Sequence, residues 1–428
     1  MKGAPRPSIE FRLTLGCAGA TITALLTIGR VFGSAVGIAA LIASAASGQR
    51  QAAAPSVPPA LTFVPIRPIE APARPLPPES ESANVTRFSF IAYGDTRSAG
   101  PTPGAATQLP GDGDVVHPIH SRIVDAMIAR IRTLADTPFP VRFVIHSGDA
   151  VLRGANAAQW NVSFTPIVDR LIRDGRVSYF FSVGNHDVTG MPAGDPSRMM
   201  GLHNALTALS RLIPPEGSPR RLSAYPTYSI GFGNTFLITF DSNVASDRVQ
   251  LVWVTDQLER LDRSRYHHVV AFFHHPPFSS GPHGGYNLEP ASAAIRSLYM
   301  PLFRKHHVRL IVAGHDHLYD HWVERYVDHG AAYRIDSIVT GGGGAPIYTY
   351  SGEPDLEEYL AAGAVAGVRV EHVAAPGPTQ ADNPHHFVVI RVDGDALSLE
   401  VVGLGEAPLT PYKDSAIEVS DQLTADWP

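Results

Sequence analysis

Val312-Ala313-Gly314-His315-Asp316-His317 closes an apolar run with a glycine and then two imidazoles separated by a single residue. The run from Val308 to Ala313 has the length and β-branched content of a buried strand. Neutral imidazole is the commonest side-chain metal ligand, so a strand end that lifts two of them from a turn is a natural place for cations. Outward from this point, other apolar runs finish in the same manner, on a residue able to bind a metal.

Phe88 to Tyr93 reads as a strand ending in Gly94-Asp95-Thr96-Arg97, and Val141 to Ile145 as one that delivers His146-Ser147-Gly148-Asp149. Val177 to Val183 delivers Gly184-Asn185-His186-Asp187, and His268 to Phe273 runs into His274-His275-Pro276-Pro277. Between them lie helical patterns. Ile119, Ile123, Val124, Met127, Ile128 and Ile131 share one face, a second helix is expected around Trp160 to Ile172, a third over Val249 to Leu261, and a fourth over Ala291 to His306. The rhythm of strand and helix predicts an α/β fold, a sheet covered by helices with function at the C-terminal ends of the strands. Thr227 to Ile230 and Thr235 to Phe240 read as a hairpin, and Tyr319 to Val327, Tyr333 to Thr340, His386 to Val392 and Ala396 to Val402 as further strands. Residues 189–219 are expected to form a partly helical insertion able to act as a lid, and residues 350–384 carry no readable pattern.

Taken singly, each strand end has an ordinary explanation. A Gly-Asp pair is frequently a turn, because aspartate tolerates the left-handed region or caps a helix. His-Pro-Pro is more often a loop. Asp95, Asp149, Asn185, His274 and the pair His315/His317, in this order and each after an apolar strand, exceed what turn chemistry produces, because such clusters converge at sites.

The ordered series Gly94-Asp95, Gly148-Asp149, Gly184-Asn185-His186-Asp187, His274-His275-Pro276 and Gly314-His315-Asp316-His317 resembles the calcineurin-like metallophosphoesterase superfamily, which includes purple acid phosphatases and cyclic-nucleotide phosphodiesterases. The resemblance runs from about Phe88 to Thr340. It implies a four-layered α/β/β/α sandwich of two mixed sheets with helices outside. It also implies two metal ions, with Asp149 bridging them, Asn185, His274 and His315 completing one site, and Asp95 and His317 serving the other. Two cations about 4 Å apart can hold a hydroxide at neutral pH and neutralise phosphoryl oxygens, and an in-line displacement needs both. His186 would then protonate the leaving alkoxide or stabilise charge in the transition state, with Asp187 orienting its ring.

One position departs from the family pattern. Most members carry Asp-x-His in the first motif, and here Asp95-Thr96-Arg97 stands instead. Purple acid phosphatases also lack that histidine but supply a tyrosine three residues after the second aspartate, where this chain has Leu152. Three outcomes follow: His120 or His117 substitutes, the first cation binds weakly, or Arg97 grips a substrate phosphate as a planar bidentate donor. The plainer reading of Arg97 is a salt bridge on a loop. His283, in Ser279-Ser280-Gly281-Pro282-His283-Gly284, is a further candidate for phosphate contact or proton donation, against the reading of an exposed loop histidine. Gly341 to Gly344 could let backbone approach the site closely, but it lacks the Gly-Lys-Ser/Thr of a nucleotide P-loop.

Composition narrows the chemistry. A formal charge of −6 offers no electrostatic footprint for nucleic acid, so none is expected as a partner. Cys17 is the single cysteine, which excludes an intramolecular disulfide and thiolate clusters and leaves nitrogen and oxygen ligands suited to Fe, Mn or Zn. Lys2, Arg6 and Arg12 precede apolar runs from Leu13 to Ile28 and from Val31 to Ala46, with Ala43-Ser44-Ala45 resembling a cleavage site. Residues 1–48 are therefore expected to be an export signal or a membrane anchor, residues 49–84 a proline-rich linker, and residues 85–428 the phosphoesterase domain, displayed in the periplasm, outside the cell or on a membrane. The expected activity is metal-dependent hydrolysis of a small-molecule phosphate ester, by a phosphatase or phosphodiesterase with a metal-bridging hydroxide as nucleophile. The alternative is a catalytically impaired, surface-displayed module that keeps one metal. Oligomeric state is left open.

Overall fold

A computed structural model describes residues 16–17, 20–21, 64–98, 113, 115–188, 196–284, 288–349, 367–405 and 417–419. The chain divides into a unit spanning Met1–Leu61 and a unit spanning Thr62–Pro428. Within the first, Gly16–Cys17 pairs antiparallel with Ala20–Thr21. The remainder of the expected signal or anchor lies outside the described residues, among which no helix is long and apolar enough to cross a membrane.

The second unit is built on two mixed sheets. In the first, β1 (Arg87–Tyr93), β2 (Val141–His146) and β3 (Ser178–Phe181) run parallel, and β11 (His386–Asp393), β12 (Ala396–Gly403) and β13 (Ile417–Val419) extend it antiparallel, in the order β13-β12-β11-β1-β2-β3. The second sheet starts with the hairpin of β4 (Tyr228–Phe232) and β5 (Thr235–Thr239). It continues through β6 (His268–Phe272), β7 (Leu310–Ala313), β8 (Tyr319–Asp328), β9 (Ala331–Thr340) and β10 (Val368–Ala374), in the order β10-β8-β9-β7-β6-β5-β4. Strand β10 falls in the stretch that pattern reading left blank. Its residues are half-buried except Arg369 and Val373, which are exposed, as befits an edge strand held by backbone pairing to β8.

Why two sheets make four layers can be read from the alternation along β5, β6 and β7. Leu237, Val270, Phe272, Leu310 and Val312 join a core shared with the first sheet. Their neighbours Phe236, Ile238, Val269, Ala271 and Ile311 turn the opposite way. There they meet Val254 and Leu258 of α4 (Arg248–Glu259) and Ile295, Tyr299 and Phe303 of the helical run 290–305. Successive side chains on a strand point to opposite faces, so a strand apolar at every position must be covered on both. On the first sheet, the ring of Phe88 packs edge-on against Phe232 at 4.9 Å across the inter-sheet space. Tyr93, an odd number of residues on, hydrogen-bonds His120 of α1 (Pro118–Leu134) on the outer face. That contact also corrects the expected helix face, because His120 is buried and Ile119 is only half so. The fold is the α/β/β/α sandwich of two mixed sheets.

Two expectations meet a different outcome. Proline density from Ala54 onward predicts a spacer without a core, yet Ile66 and Ile69 are buried in the main core. The Ile69 amide bonds the Ala208 carbonyl, and the Glu79 carboxylate accepts both Arg220 (2.9 and 2.8 Å) and the Tyr266 hydroxyl (2.6 Å). Proline sets an extended backbone but does not prevent the residues between from docking. Similarly, in the expected lid, α3 (Pro196–Ala208) sinks Ala205 and Ala208 into the core, and Asn204 donates to the Gly154 carbonyl. Residues 189–195 lie outside the described residues.

The Glu79 clamp gives a stability prediction. Burial pushes Glu79 up, but hydrogen bonds from Arg220 and Tyr266 outweigh it and hold the carboxyl below its ordinary value of 4.5. A depressed carboxylate contributes stability above its unfolded pKa and loses it as pH falls through the folded one. Glu79→Gln is expected to cost about 1–2 kcal/mol at pH 7, discounted for partial exposure. The gap to wild type should close as urea titrations are moved below pH 4.5.

Candidate metal centre

Strand ends from both sheets meet along one edge of the sandwich. The Asp95 amide donates to the Gly148 carbonyl (2.9 Å), Gly314 N to the His274 carbonyl (3.0 Å), and Gly343 N to the Gly94 carbonyl (2.8 Å). A Cβ on Gly343 would lie 2.4 Å from that carbonyl oxygen, so the expected close approach of the Gly341 to Gly344 run is real. Asp95, Asp149 and His315 hold φ of 58°, 58° and 74°, a left-handed backbone that costs a non-glycine residue about 1–3 kcal/mol. Such strain is a mark of functional sites.

On one side, Asn185 Oδ1 lies 2.8 Å from His274 Nε2 and 3.2 Å from His315 Nδ1, and the two ring nitrogens are 3.1 Å apart. Asp149 Oδ1 stands 3.4 Å from His274 Nε2. The opposite nitrogens decide what this means. His274 Nδ1 faces the Ser147 carbonyl at 3.0 Å and His315 Nε2 faces the Glu289 carboxylate at 2.9 Å, so both must carry protons there. Burial holds the His274 pKa down to about 3, leaving the ring neutral. His274 Nε2 is therefore a lone pair aimed at an amide oxygen, at His315 Nδ1 and at a carboxylate. Acceptors packed this closely repel unless a cation sits among them, so this side fits a metal ion.

The other side is different. Asp95, Asp149 and His317 present ligand atoms within 4.8 Å of one another. Here Arg97 already supplies positive charge, its Nε 3.4 Å from Asp149 Oδ2 and its terminal nitrogen 3.3 Å from His317 Nε2. His317 Nδ1 is committed to the Pro346 carbonyl at 2.8 Å, so Nε2 is the lone pair that accepts from the guanidinium. The ring of Tyr348 stacks on His317 at 4.4 Å. Asp149 and His317 thus have a cationic partner within the chain, and Asp95 accepts the His315 amide.

The charges follow the geometry. Burial raises Asp149, but His274, His186 and Arg97 around it hold its carboxyl well below the usual carboxylate range. Burial and the Asp149 charge push Asp95 well above that range, against the pull of Arg97. Burial, then Arg97, take His317 down to about 3.

All ten residues proposed from the sequence lie in this region, but their roles shift. His186 donates its amide to Asp149 Oδ1 (2.9 Å), and its Nδ1 bonds the Leu152 carbonyl (2.9 Å), which turns Nε2 toward Asp149 Oδ2 at 3.9 Å. Asp187 does not orient that ring. Its carboxylate is fully buried and accepts amides of Gly184, Asp149 and Ala150 at 2.8, 2.8 and 2.9 Å, stitching two ligand loops together from behind. His120 is not a substitute ligand, because its Nε2 faces the Tyr93 hydroxyl (3.1 Å) in the core. His117 caps α1 through its Nδ1. His283 stands beside His315, ring centroids 4.2 Å apart, with Nδ1 2.9 Å from Glu289.

Glu289 is the residue that sequence reasoning missed. It joins His283 to His315, and hydrogen bonds from those two rings hold its carboxyl well below the ordinary range. Its only signal was a position just before Pro290, which reads as a helix start. Asp316 was likewise unassigned. It accepts the Ser279 hydroxyl (2.6 Å) and the His283 amide (3.2 Å), and so fixes the His283 loop.

Residues 117–319 match the sequence model of the family described as Calcineurin-like phosphoesterase, a stretch that begins after Asp95 and Arg97. Among solved structures, the chain is similar to purple acid phosphatase PPD1 from yellow lupin (Lupinus luteus) seeds, with TM-score 0.52, 16% identity, and 76% of this chain and 53% of that chain covered. It thus spans about half the length of that protein. It is also similar to GAP50, the anchor in the inner membrane complex of Plasmodium (TM-score 0.44, 13% identity, 76% and 87% covered). A dimetal phosphatase from Danio rerio gives TM-score 0.43 at 16% identity, with 74% and 97% covered. At such identities the likeness is one of fold. A comparison with characterised protein sequences returned no match.

Proposed function

We propose that the protein is a metal-dependent hydrolase of small-molecule phosphate esters, a reading supported by the match of residues 117–319 to the Calcineurin-like phosphoesterase family model. The observation that carries the reading is the meeting of acceptor atoms from Asp149, Asn185 and His274 beside the His315 ring in one place. These four residues would hold a divalent cation. When bound, it supplies Lewis acidity toward a phosphoryl oxygen and lowers the pKa of water.

The chain's own groups do the rest. The hydrogen bonds of Arg97 to Asp149, His317 and the Ser98 carbonyl engage three of its five N–H groups, and the others are available to phosphoryl oxygens. His186, its ring fixed through Nδ1, carries a proton at Nε2 in its imidazolium form and delivers it to the leaving oxygen. Its side chain is 30% exposed, at the mouth where a leaving group departs. His283, tied to Glu289, presents its remaining edge beside His315 as a further donor.

The test uses leaving groups of different basicity. Metal-loaded protein is expected to hydrolyse p-nitrophenyl phosphate or its bis ester, and chelation should abolish turnover. His186→Gln should lower kcat by about 10²-fold on an alkyl phosphate, whose alkoxide needs the proton. On the p-nitrophenyl ester, which leaves without one, the loss should be much smaller. Equal losses on both would remove His186 from the acid role, and no turnover of either ester would sink the proposal.

A second reading, a displayed module that binds one metal without hydrolysis, draws support from Arg97 lying among Asp95, Asp149 and His317. The same assay separates the two. The basic and apolar N-terminal runs support export of the domain, which N-terminal sequencing of protein recovered outside the cytoplasm checks.

A further inference from the structure

We infer that the centre is mononuclear, with the guanidinium of Arg97 standing in for the cation that Asp95, Asp149 and His317 would otherwise share. This rests on the phosphoesterase reading and sharpens it. The two sides of the site are built from the same kinds of ligand atom but differ in what neutralises them. Around Asn185, His274 and His315, the amide oxygen and two ring nitrogens face one another at 2.8–3.2 Å, and among the described residues no arginine or lysine hydrogen-bonds to them. Around His317, the lone pair on Nε2 accepts a hydrogen bond from Arg97 at 3.3 Å, and the same guanidinium sits 3.4 Å from Asp149 Oδ2.

Three features keep the guanidinium there. The Arg97 amide bonds the Asp149 carbonyl at 3.2 Å, so its backbone is fixed at the ligand loop. The side chain is only 13% exposed. Asp95, the third ligand on this side, has its carboxylate turned to the His315 amide, with oxygens 3.1 and 3.0 Å from it. A divalent ion entering this pocket would meet a fixed positive charge and acceptors that already have partners.

The consequence for the reaction is a division of labour. A guanidinium binds phosphoryl oxygens as a planar donor, but it cannot polarise water as a metal does. Nucleophile activation therefore belongs to the Asn185, His274 and His315 side alone, and Arg97 contributes charge and orientation. The bridging hydroxide expected for two metals has no second cation to bridge to.

Metal content decides the matter. Full-length protein is stripped with a chelator, reloaded with Mn²⁺, freed of excess and measured by elemental analysis and by electron paramagnetic resonance. Wild type is expected to hold one equivalent, with the hyperfine sextet of an isolated ion. Arg97→His should gain a second equivalent and a spin-coupled signal, and Arg97→Ala should gain a weaker second site. Two tightly held, coupled ions in wild type would overturn the inference while leaving the phosphoesterase reading intact. A single equivalent in wild type and both variants would also overturn it, since the guanidinium would not be what excludes the ion. Absence of both metal and ester hydrolysis in wild type would instead defeat the phosphoesterase reading.

Discussion

Asp149→Ala is expected to lower kcat/KM for a phosphate ester by about 10³-fold or more, a loss of roughly 4 kcal/mol in transition-state stabilisation, and to release the bound metal. The size of the effect follows from how much converges on one carboxylate. Its Oδ1 takes the His186 amide at 2.9 Å and lies 3.4 Å from His274 Nε2, while its Oδ2 lies 3.4 Å from Arg97 Nε and 3.9 Å from His186 Nε2. Removing it takes away a proposed metal ligand, the anchor of the guanidinium and the partner of the proposed general acid, His186, together. Kinetics alone would not separate these losses, so metal content should be measured on the same preparation. A variant that keeps both its metal and its activity would refute the assignment of Asp149 to the centre.

Gly148→Ala is expected to be a severely damaging small change, at roughly 3–5 kcal/mol of stability. Gly148 has φ of 108°, and a Cβ there would lie 2.7 Å from Gly184 N, 2.8 Å from Gly184 Cα and 2.8 Å from His274 Nδ1. Two of these are backbone atoms of the next ligand loop and the third fixes a ligand ring, so none can move without dismantling the site. Gly217 provides the control. Its φ is also positive, at 79°, but a Cβ there meets nothing within 4 Å. Gly217→Ala should cost only the backbone strain, about 1–2 kcal/mol. Similar urea midpoints for the two variants would show that the collisions at Gly148 are relieved by relaxation.

The legible part of this molecule is its ligand-bearing strand ends. Apolar runs such as Leu310 to Ala313 announce strands buried on both faces, because only those tolerate an uninterrupted apolar sequence. The glycine before Asp95, Asp149, Asn185 and His315 is readable for a related reason. Where strand ends from two sheets converge, there is no room for side chains between the ligand loops, and Gly148 is an instance. The departure at Arg97 was equally visible, as a cationic residue where a ligand was expected.

Roles, by contrast, depended on directions that spacing does not encode. Asp187 follows His186 immediately, yet the helical turn Asn185–Val188 sends its carboxylate inward to the Asp149 loop and leaves the His186 ring to the Leu152 carbonyl. Glu289 reaches His315 from 26 residues away and carried no pattern of its own. His120, near in sequence to the incomplete motif, is drawn into the core by Tyr93 and Phe164. The docking of Ile66 and Ile69 was hidden by the prolines around them.

By itself, the sequence determined the order of strands and helices, the residues able to bind metal, and the one position where the set is broken. Those are properties of residue type and period, which local chemistry dictates. Only the tertiary structure decided which nitrogen of each histidine faces inward and which acceptors are left without a partner. It also decided that the arginine at the broken position lies among the very ligands it was thought to deprive. Hydrogen-bond partners from distant strands set those directions, and partners distant in sequence are chosen by packing alone.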